Sequence, residues 1–316
     1  MLSINGNILK INSNWLKKSI PPFTLVLNFP IGYTPTFSKG TGVQHSSDPN
    51  IWYLTYENTN WSHLLENLRP ANGSFEVIDG NTTGVVNMSY MYRGARVSRI
   101  VDDLDTSSVT NMSYMFGPYE TESSYTQGGL IAAPRMDTSN VVDMTKMFFG
   151  QGKIESTPNY DTRKVQNLDG LFQGCRRLIT APSIDTSRAT SMLRMFSDCE
   201  WLQTVPVYDT RNVQNMNYLF YKTQLQNLPL LDMTSVIRMD YMCYMTPIRS
   251  IPALTPDVVE SMDYAFYHTT YVQSGALDLY NRVKNLNPYH TGTFNHCGYG
   301  TTTGQAELAQ IPSSWK

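Results

Sequence analysis

Charged side chains are scarce in this sequence: Asp, Glu, Lys and Arg make up 16 % of the 316 residues, against about 25 % in a typical soluble domain. The 24 basic and 26 acidic residues leave a net charge of −2, so nothing in the charge favours nucleic-acid binding. No apolar run approaches the ~18 residues of a membrane-spanning helix. Four cysteines are too few for a disulfide scaffold. We therefore expect neither nucleic-acid binding nor membrane insertion.

Catalytic and targeting motifs are also missing. The sequence contains no Gly-x-Ser-x-Gly, no phosphate-binding loop and no His-Glu-x-x-His, and its five histidines are not spaced as zinc ligands or a catalytic pair are. Residues 1–10 have neither the basic nor the apolar region of a signal peptide; Asn5-Gly6 between two short apolar segments instead predicts a β-hairpin. We predict a protein that is not an enzyme and needs no cofactor.

What the sequence has in abundance is a repeat. A twelve-residue pattern starts at residues 81, 105, 137, 161, 185, 209, 232 and 255, with steps of 23 or 24 residues and one step of 32. The long step contains eight extra residues, between residues 117 and 130. Counted from the first residue of each copy as position zero, positions seven and ten hold 12 of the 16 methionines. Because one copy cannot bury its own apolar side chains, we predict that the copies stack around a methionine core.

The polar residues between these apolar columns suggest the local structure. Position eight holds a residue that caps helix N-termini in seven of eight copies, which predicts an extended segment followed by a short helical turn. A proline three residues before position zero recurs in six copies and predicts the end of a second short strand. Outside the repeat, we expect strands at residues 23–27 and 51–54 and helices near residues 62–68, 277–286 and 304–311.

The pattern Asp-Thr-Ser-x-Val-x-x-Met-x-x-Met-Phe-x-x-Cys-x-x-Leu, as in residues 185–202 with Ala189 in place of valine, resembles the repeat of the BspA-like leucine-rich-repeat group. The Met-rich form is similar to repeats of mycoplasma and lactobacillus surface proteins. The resemblance covers about residues 79–270 and implies a right-handed solenoid and extracellular adhesion rather than catalysis. Residues 32–42 resemble the openings of repeat proteins from gut Bacteroides and from phages.

These observations together predict an α/β repeat solenoid. We expect a leucine-rich-repeat-like right-handed solenoid of about eight coils of 23–24 residues, with short strands and short helical turns, over residues 79–270. Residues 1–78 are predicted to form an N-terminal β-rich capping or attachment domain. Residues 271–316 are predicted to form a C-terminal cap.

Tyrosine, with 20 copies, supplies the candidate binding residues. Position nine is tyrosine in five copies and position twelve in the last three, and stacking would align six phenols in one patch: Tyr218, Tyr221, Tyr241, Tyr244, Tyr264 and Tyr267. Tyrosine is a rigid amphipathic side chain suited to recognition, although these residues could instead only cover the methionine core. The insertion, with Tyr119 and Tyr125, is a second candidate because inserted loops often lie on a binding face.

Two further columns have alternative interpretations. Aspartates at position zero of six copies could form a row of calcium sites, but we favour side chains that accept hydrogen bonds from nearby turn N–H groups. Cys175 and Cys199 occupy the same position of adjacent copies and could form a disulfide. Buried free thiols are the preferred interpretation.

Three function classes remain open from the sequence alone. We favour a non-catalytic bacteriophage virion protein, either a tail-fibre or head-fibre protein or a decoration protein. We expect it to bind a bacterial surface glycan or protein, or another virion protein. A bacterial cell-surface or secreted adhesin of the BspA-like type is the alternative, and a carbohydrate-active enzyme is the least favoured class. Whether the chain forms a homo-oligomer stays open.

Overall fold

The structure is a computed structural model that describes residues 2–4, 7–9, 20–101, 104–118 and 129–316. The chain begins with a hairpin of two antiparallel strands, β1 (Leu2–Ile4) and β2 (Asn7–Leu9). The hairpin predicted around Asn5-Gly6 is thus confirmed.

A five-stranded mixed sheet follows, formed by β3 (Thr24–Asn28), β4 (Thr41–Gln44), β5 (Ile51–Thr55), β6 (Phe75–Asn81) and β7 (Val97–Ile100). Its order is β4-β5-β3-β6-β7. Neighbours are antiparallel except β6 and β7, which run parallel. The strands predicted at residues 23–27 and 51–54 are confirmed as β3 and β5, and β3 is buried over most of its length.

Two short helices and a 3-10 turn complete the C-terminal part: α1 (Ala276–Val283), α2 (Thr302–Ala309) and Ser313–Trp315. The helices predicted near residues 277–286 and 304–311 are confirmed. The helix predicted at residues 62–68 is wrong, because His63 and Asn67 have φ angles of 61° and 58°, and a right-handed helix needs a negative φ at every residue.

The predicted fold class, an α/β leucine-rich-repeat-like right-handed solenoid, is wrong. The regular secondary structure is the five-stranded mixed sheet together with the two short C-terminal helices. Within residues 104–118 and 129–275, the described part of the repeat beyond β7, the structure contains turns, bends and single-residue bridges but neither a strand nor a helix. The predicted domain boundaries stay a prediction.

Left-handed backbone at position nine explains why no helical turn forms. This position has a φ from 52° to 61° in every copy, and the same holds for the residues aligned with it in one further copy at each end. The ten residues are His63, Tyr90, Tyr114, Lys146, Gly170, Arg194, Tyr218, Tyr241, Tyr264 and Gly292. A positive φ at the third of four residues closes a β-turn of type II. The Met195 N–H, for example, donates to the Met192 carbonyl at 3.1 Å.

A second left-handed residue follows at position thirteen of nearly every copy. Its members are Asn67, Gly94, Gly150, Gly174, Asp198, Lys222, Met245, His268 and His296. It closes another turn, in which the Cys199 N–H donates to the Phe196 carbonyl at 3.2 Å. Two left-handed residues per copy therefore replace the predicted helical turn by consecutive β-turns.

Backbone hydrogen bonds join each copy to the next. From the copy at residue 185 to the copy at 209, the N–H groups of Met192, Arg194, Phe196 and Asp198 donate to carbonyls at distances of 2.9–3.1 Å. Single parallel bridges such as Ser191↔Asn215 accompany them, and Asn111↔Asp143 spans the insertion. Bridges Asn60↔Asn87 and Ser261↔Tyr289 extend the pattern by one copy at each end. The copies therefore pack in register even though they form no extended strands.

The methionine columns are buried, as predicted. Met112, Met144, Met192 and Met216 are each 0 % exposed. Position eleven adds a column of stacked rings, in which neighbouring centroids lie 5.3–6.1 Å apart between residues 92 and 220. Burial of each such side chain contributes roughly 1.5–3 kcal/mol. The core therefore runs continuously through the repeat.

A column of buried threonines at position one is a feature that the sequence analysis missed. Each hydroxyl donates to the carbonyl of position zero in the next copy, at 2.6–3.0 Å. The column consists of Thr82, Thr106, Thr138, Thr162, Thr186 and Thr210. These hydrogen bonds link the copies through side chains as well as through the backbone.

We predict that Thr162→Val destabilises the protein by about 1–3 kcal/mol, because it leaves the Asp185 carbonyl without its buried donor. The matched control is Thr190→Val, which removes a similar hydroxyl-to-carbonyl bond between copies, from Thr190 to Gln166, at an exposed residue. Exposed substitutions usually change stability by less than about 0.5 kcal/mol. Urea unfolding of both variants measures the difference, and equal effects would contradict the role of the buried column.

Candidate binding surface

Six tyrosines in the last three copies of the repeat lie together on one surface, which we call the tyrosine face: Tyr218, Tyr221, Tyr241, Tyr244, Tyr264 and Tyr267. All six are half-buried. The structure thus brings together the residues that the sequence analysis singled out in this part of the chain.

Position nine forms the first column of the tyrosine face. The ring centroids of Tyr218 and Tyr241 are 4.7 Å apart with planes 4° from parallel, and those of Tyr241 and Tyr264 are 4.9 Å apart. These spacings match the ~4.8 Å between hydrogen-bonded neighbouring chains. The rings stack because the backbone bonds between copies set their separation.

Position twelve forms the second column. Tyr221, Tyr244 and Tyr267 stack with centroid distances of 5.0 Å and 4.9 Å. Within a copy, the two rings meet edge to face in two of the three pairs, as for Tyr218 and Tyr221 at 5.5 Å and 61°, and at a tilt of 47° in the pair Tyr241 and Tyr244. Stacked and edge-to-face pairs are the two favourable aromatic geometries, so the six rings support one another.

Cations flank one end of the tyrosine face. The Arg194 guanidinium lies over the ring of Tyr218 at 4.6 Å, and the Lys222 ammonium lies over the ring of Tyr221 at 5.0 Å. A hydrogen bond between the side chains of Lys222 and Tyr221 raises the pKa of Lys222. Partial burial raises the pKa of Tyr241 and Tyr244, so these phenols keep their protons and remain hydrogen-bond donors at neutral pH.

This geometry determines which parts of the rings a partner can contact. Both faces of Tyr241 and of Tyr244 are covered by the rings above and below them. A sugar therefore cannot stack on these two rings. Their hydroxyl groups and ring edges are the contact groups, and the hydroxyls recur at the spacing of the copies.

A smaller aromatic stack lies at the other end of the repeat. His63 stacks on Tyr90 at 4.7 Å, Tyr90 stacks on Tyr114 at 4.9 Å, and the Lys146 ammonium lies 5.1 Å from the centre of the Tyr114 ring. The place of His63 in this stack could not be predicted from the sequence, because the copy that contains it lacks the repeat signature. Gly170, the next residue in the position-nine column, has no side chain. It therefore interrupts the column between this stack and Arg194.

The second sequence-based candidate, Tyr119 and Tyr125, lies outside the described residues.

The aspartates at position zero accept hydrogen bonds from turn N–H groups, which confirms the preferred interpretation of this column. The Asp185 carboxylate accepts from the Ser187 N–H at 2.9 Å, and Asp137 accepts from Ser139 at the same distance. Among the residues that the structure describes, no group of three or more His, Cys, Asp or Glu side chains is arranged to hold a metal ion. Nor does this part of the chain contain a helix long and apolar enough to cross a membrane.

All four cysteines are free and buried. The thiols of Cys175 and Cys199 each donate to a backbone carbonyl, at 3.3 Å and 3.1 Å. Burial raises the pKa of Cys175 to about 12. The interpretation of these residues as buried thiols is confirmed, and they are protonated at neutral pH.

Comparison with known protein families shows a match over much of the repeat. A family model described as "Mycoplasma protein of unknown function, DUF285" matches residues 59–157 and 151–250. This match confirms the predicted BspA-like repeat resemblance at the level of the family. Neither the search of curated proteins nor that of solved structures gives a match.

The aspartate column predicts a pH dependence of stability. The hydrogen bond from the Ser187 side chain lowers the pKa of Asp185 below its ordinary 3.8. Hydrogen bonds also lower the pKa values of Asp137, Asp161, Asp209 and Asp232. A lowered folded-state pKa favours the ionised form, so this stabilisation is fully present above the unfolded pKa and is lost as the pH falls below it through the folded pKa.

We expect the free energy of unfolding to fall as the pH is lowered below about 4, and to fall less when Asp137, Asp161, Asp185 and Asp209 are replaced by Asn. Asn keeps an oxygen that can accept the turn N–H but does not titrate. Urea unfolding at neutral and at acidic pH measures the effect, with Asp257→Asn as a control outside the column. An unchanged pH dependence in the quadruple variant would contradict the assignment.

Proposed function

Because the chain belongs to the family described as "Mycoplasma protein of unknown function, DUF285", we propose that it is a non-catalytic binding protein that attaches through its tyrosine face to a glycan or protein of a bacterial surface. The observation that carries this proposal is the pair of stacked tyrosine columns. Their half-buried rings combine apolar edges with a regular row of phenol hydroxyls.

The rigidity of this surface supports a role in recognition. The N–H groups of Tyr218 and Tyr241 donate to carbonyls of the next copy at 2.8 Å and 2.9 Å. Each ring is also held by its stacked neighbours. A partner that binds such a pre-ordered surface avoids much of the entropy cost of fixing side chains, and tyrosine gives contact area at low entropy cost in any case.

The proposed setting is the bacterial cell surface, which family membership favours over the bacteriophage virion. The same binding role fits a virion protein that attaches to a bacterial surface or to another virion protein. An antibody raised against the chain distinguishes the two settings. In the first it labels intact cells, and protease treatment of those cells removes the label; in the second it labels purified phage particles.

We predict that replacing Tyr218, Tyr241 and Tyr264 together by Phe weakens binding of the purified protein to intact bacteria. Loss of three hydroxyl hydrogen bonds at about 1 kcal/mol each lowers affinity on the order of 100-fold. Phe keeps the stacked rings, so the melting temperature stays near that of the wild type. Binding to bacteria and to a glycan array, with thermal unfolding alongside, measures both quantities.

The matched control replaces Tyr90 and Tyr114 by Phe, since these residues occupy the same position of the repeat in the smaller stack. The control is expected to bind as the wild type does. Wild-type binding by the triple variant would overturn the proposed role of the tyrosine face. A large loss of stability with Phe would instead assign the three hydroxyl groups a role in holding the fold.

A further inference from the structure

A groove of about 660 Å³ lies in another part of the repeat, in the copies that start at residues 105, 137, 161 and 185. Its lining includes Lys153, Glu155, Arg176, Arg177, Glu200 and Trp201. This volume is in the range of small-molecule sites in proteins. None of its residues belongs to the tyrosine face, so a ligand in this groove is independent of the proposed function.

Like charges lie side by side along this groove. Lys153, Arg177 and Trp201 occupy position sixteen of three successive copies, which lie ~4.8 Å apart along the stack. Like charges at adjacent positions repel each other. An anion that lies between Lys153 and Arg177 reduces the repulsion between these two cations.

The carboxylates of the groove only partly balance these cations. Glu200 lies 3.3 Å from Arg176, and Glu155 lies 4.0 Å from Arg177. Lys153 forms no ion pair with any described residue. Three cations therefore face two carboxylates, and one positive charge is left for a ligand.

The groove also presents apolar surface to solvent. Trp201 is 48 % exposed and Ile131 is 66 % exposed. The Arg177 guanidinium lies over the indole at 5.5 Å, which places a donor group beside a flat apolar surface. A sugar ring needs this combination, because it has apolar C–H groups on its faces and polar groups on its rim.

We propose that this groove binds an anionic saccharide. A sugar unit lies against Trp201, and its carboxylate or sulfate group lies between Lys153 and Arg177. The charge excess selects the anion, while the exposed indole selects the sugar over a free inorganic anion.

Titration of the full chain with sialyllactose, sulfated lactose and neutral lactose, followed by tryptophan fluorescence and calorimetry, tests this proposal. We expect saturable binding of one or both acidic sugars, with affinity on the order of tenfold or more above that of lactose, since hydrogen bonds to charged groups are stronger than neutral ones. The two acidic sugars distinguish a carboxylate from a sulfate as the preferred group. Binding should weaken as salt is raised.

Variants locate the site. Lys153→Gln and Arg177→Gln should each weaken binding of the acidic sugar on the order of tenfold, and Trp201→Ala should abolish it. Trp201→Phe should retain part of the affinity but lose the fluorescence change. Lys164→Gln, an exposed lysine in the same copy as Arg177 that does not line the groove, is the matched control and should bind as the wild type does.

Three results would overturn the proposal. Equal affinity for lactose and the acidic sugars would exclude a role for the charge excess. Wild-type affinity in both Lys153→Gln and Arg177→Gln would place any binding elsewhere. Binding of a glutamate-rich peptide but of neither acidic sugar would assign the groove to acidic peptides instead.

Discussion

Hydrogen bonds between the main chains of successive copies are the interaction on which the rest of this structure depends. In six of the eight copies, the N–H groups at alternate positions, seven, nine, eleven and thirteen, all donate to the next copy. This alternation requires the backbone of each copy to make consecutive turns while its N–H groups keep pointing toward the next copy. The left-handed residues at positions nine and thirteen supply those turns. Most of them carry side chains that incur a steric penalty in this conformation, so the bonds between copies and the buried core must offset that penalty.

The same constraint arranges the side chains into columns. Once the backbones lie at a fixed separation, equal positions of neighbouring copies come into contact, and the result depends only on residue type. Methionine and phenylalanine give the core, and threonine gives a buried row of hydrogen bonds. Tyrosine gives stacked rings with outward hydroxyls. Lysine and arginine in adjacent copies give a concentrated positive charge. Both proposed binding sites are therefore consequences of the separation between copies together with local differences in sequence.

The sequence was sufficient to predict features that are expressed as side-chain patterns. The methionine columns, the aspartate turns, the free thiols and the grouping of six tyrosines all follow from residue types at equal positions, and the strands β3 and β5 follow from short β-branched and aromatic runs. Backbone conformation was harder to infer. Position nine contains Tyr, Lys, Arg and His, which give no sign of a left-handed residue, and only Gly170 and Gly292 point to it. Capping residues at position eight favoured a helical turn, and this led to the wrong fold class. The groove at Trp201 was missed because it depends on three different residue types in one column.

The eight-residue insertion has a consequence for how such a chain can change over time. Despite the extra residues, the bridge Asn111↔Asp143 and the hydrogen bond from the Met112 N–H to the Asp143 carbonyl hold the flanking copies in the usual register. Length added between residues 117 and 130 therefore leaves the register of the flanking copies unchanged. By the same reasoning, a gene that duplicates or deletes one whole copy changes the protein by a single layer and leaves its neighbours intact. Unequal recombination within the repeat can thus lengthen or shorten the row of tyrosines by one pair of residues at a time. Such a change would alter the number of contact groups on the proposed binding surface and leave the rest of that surface as it is.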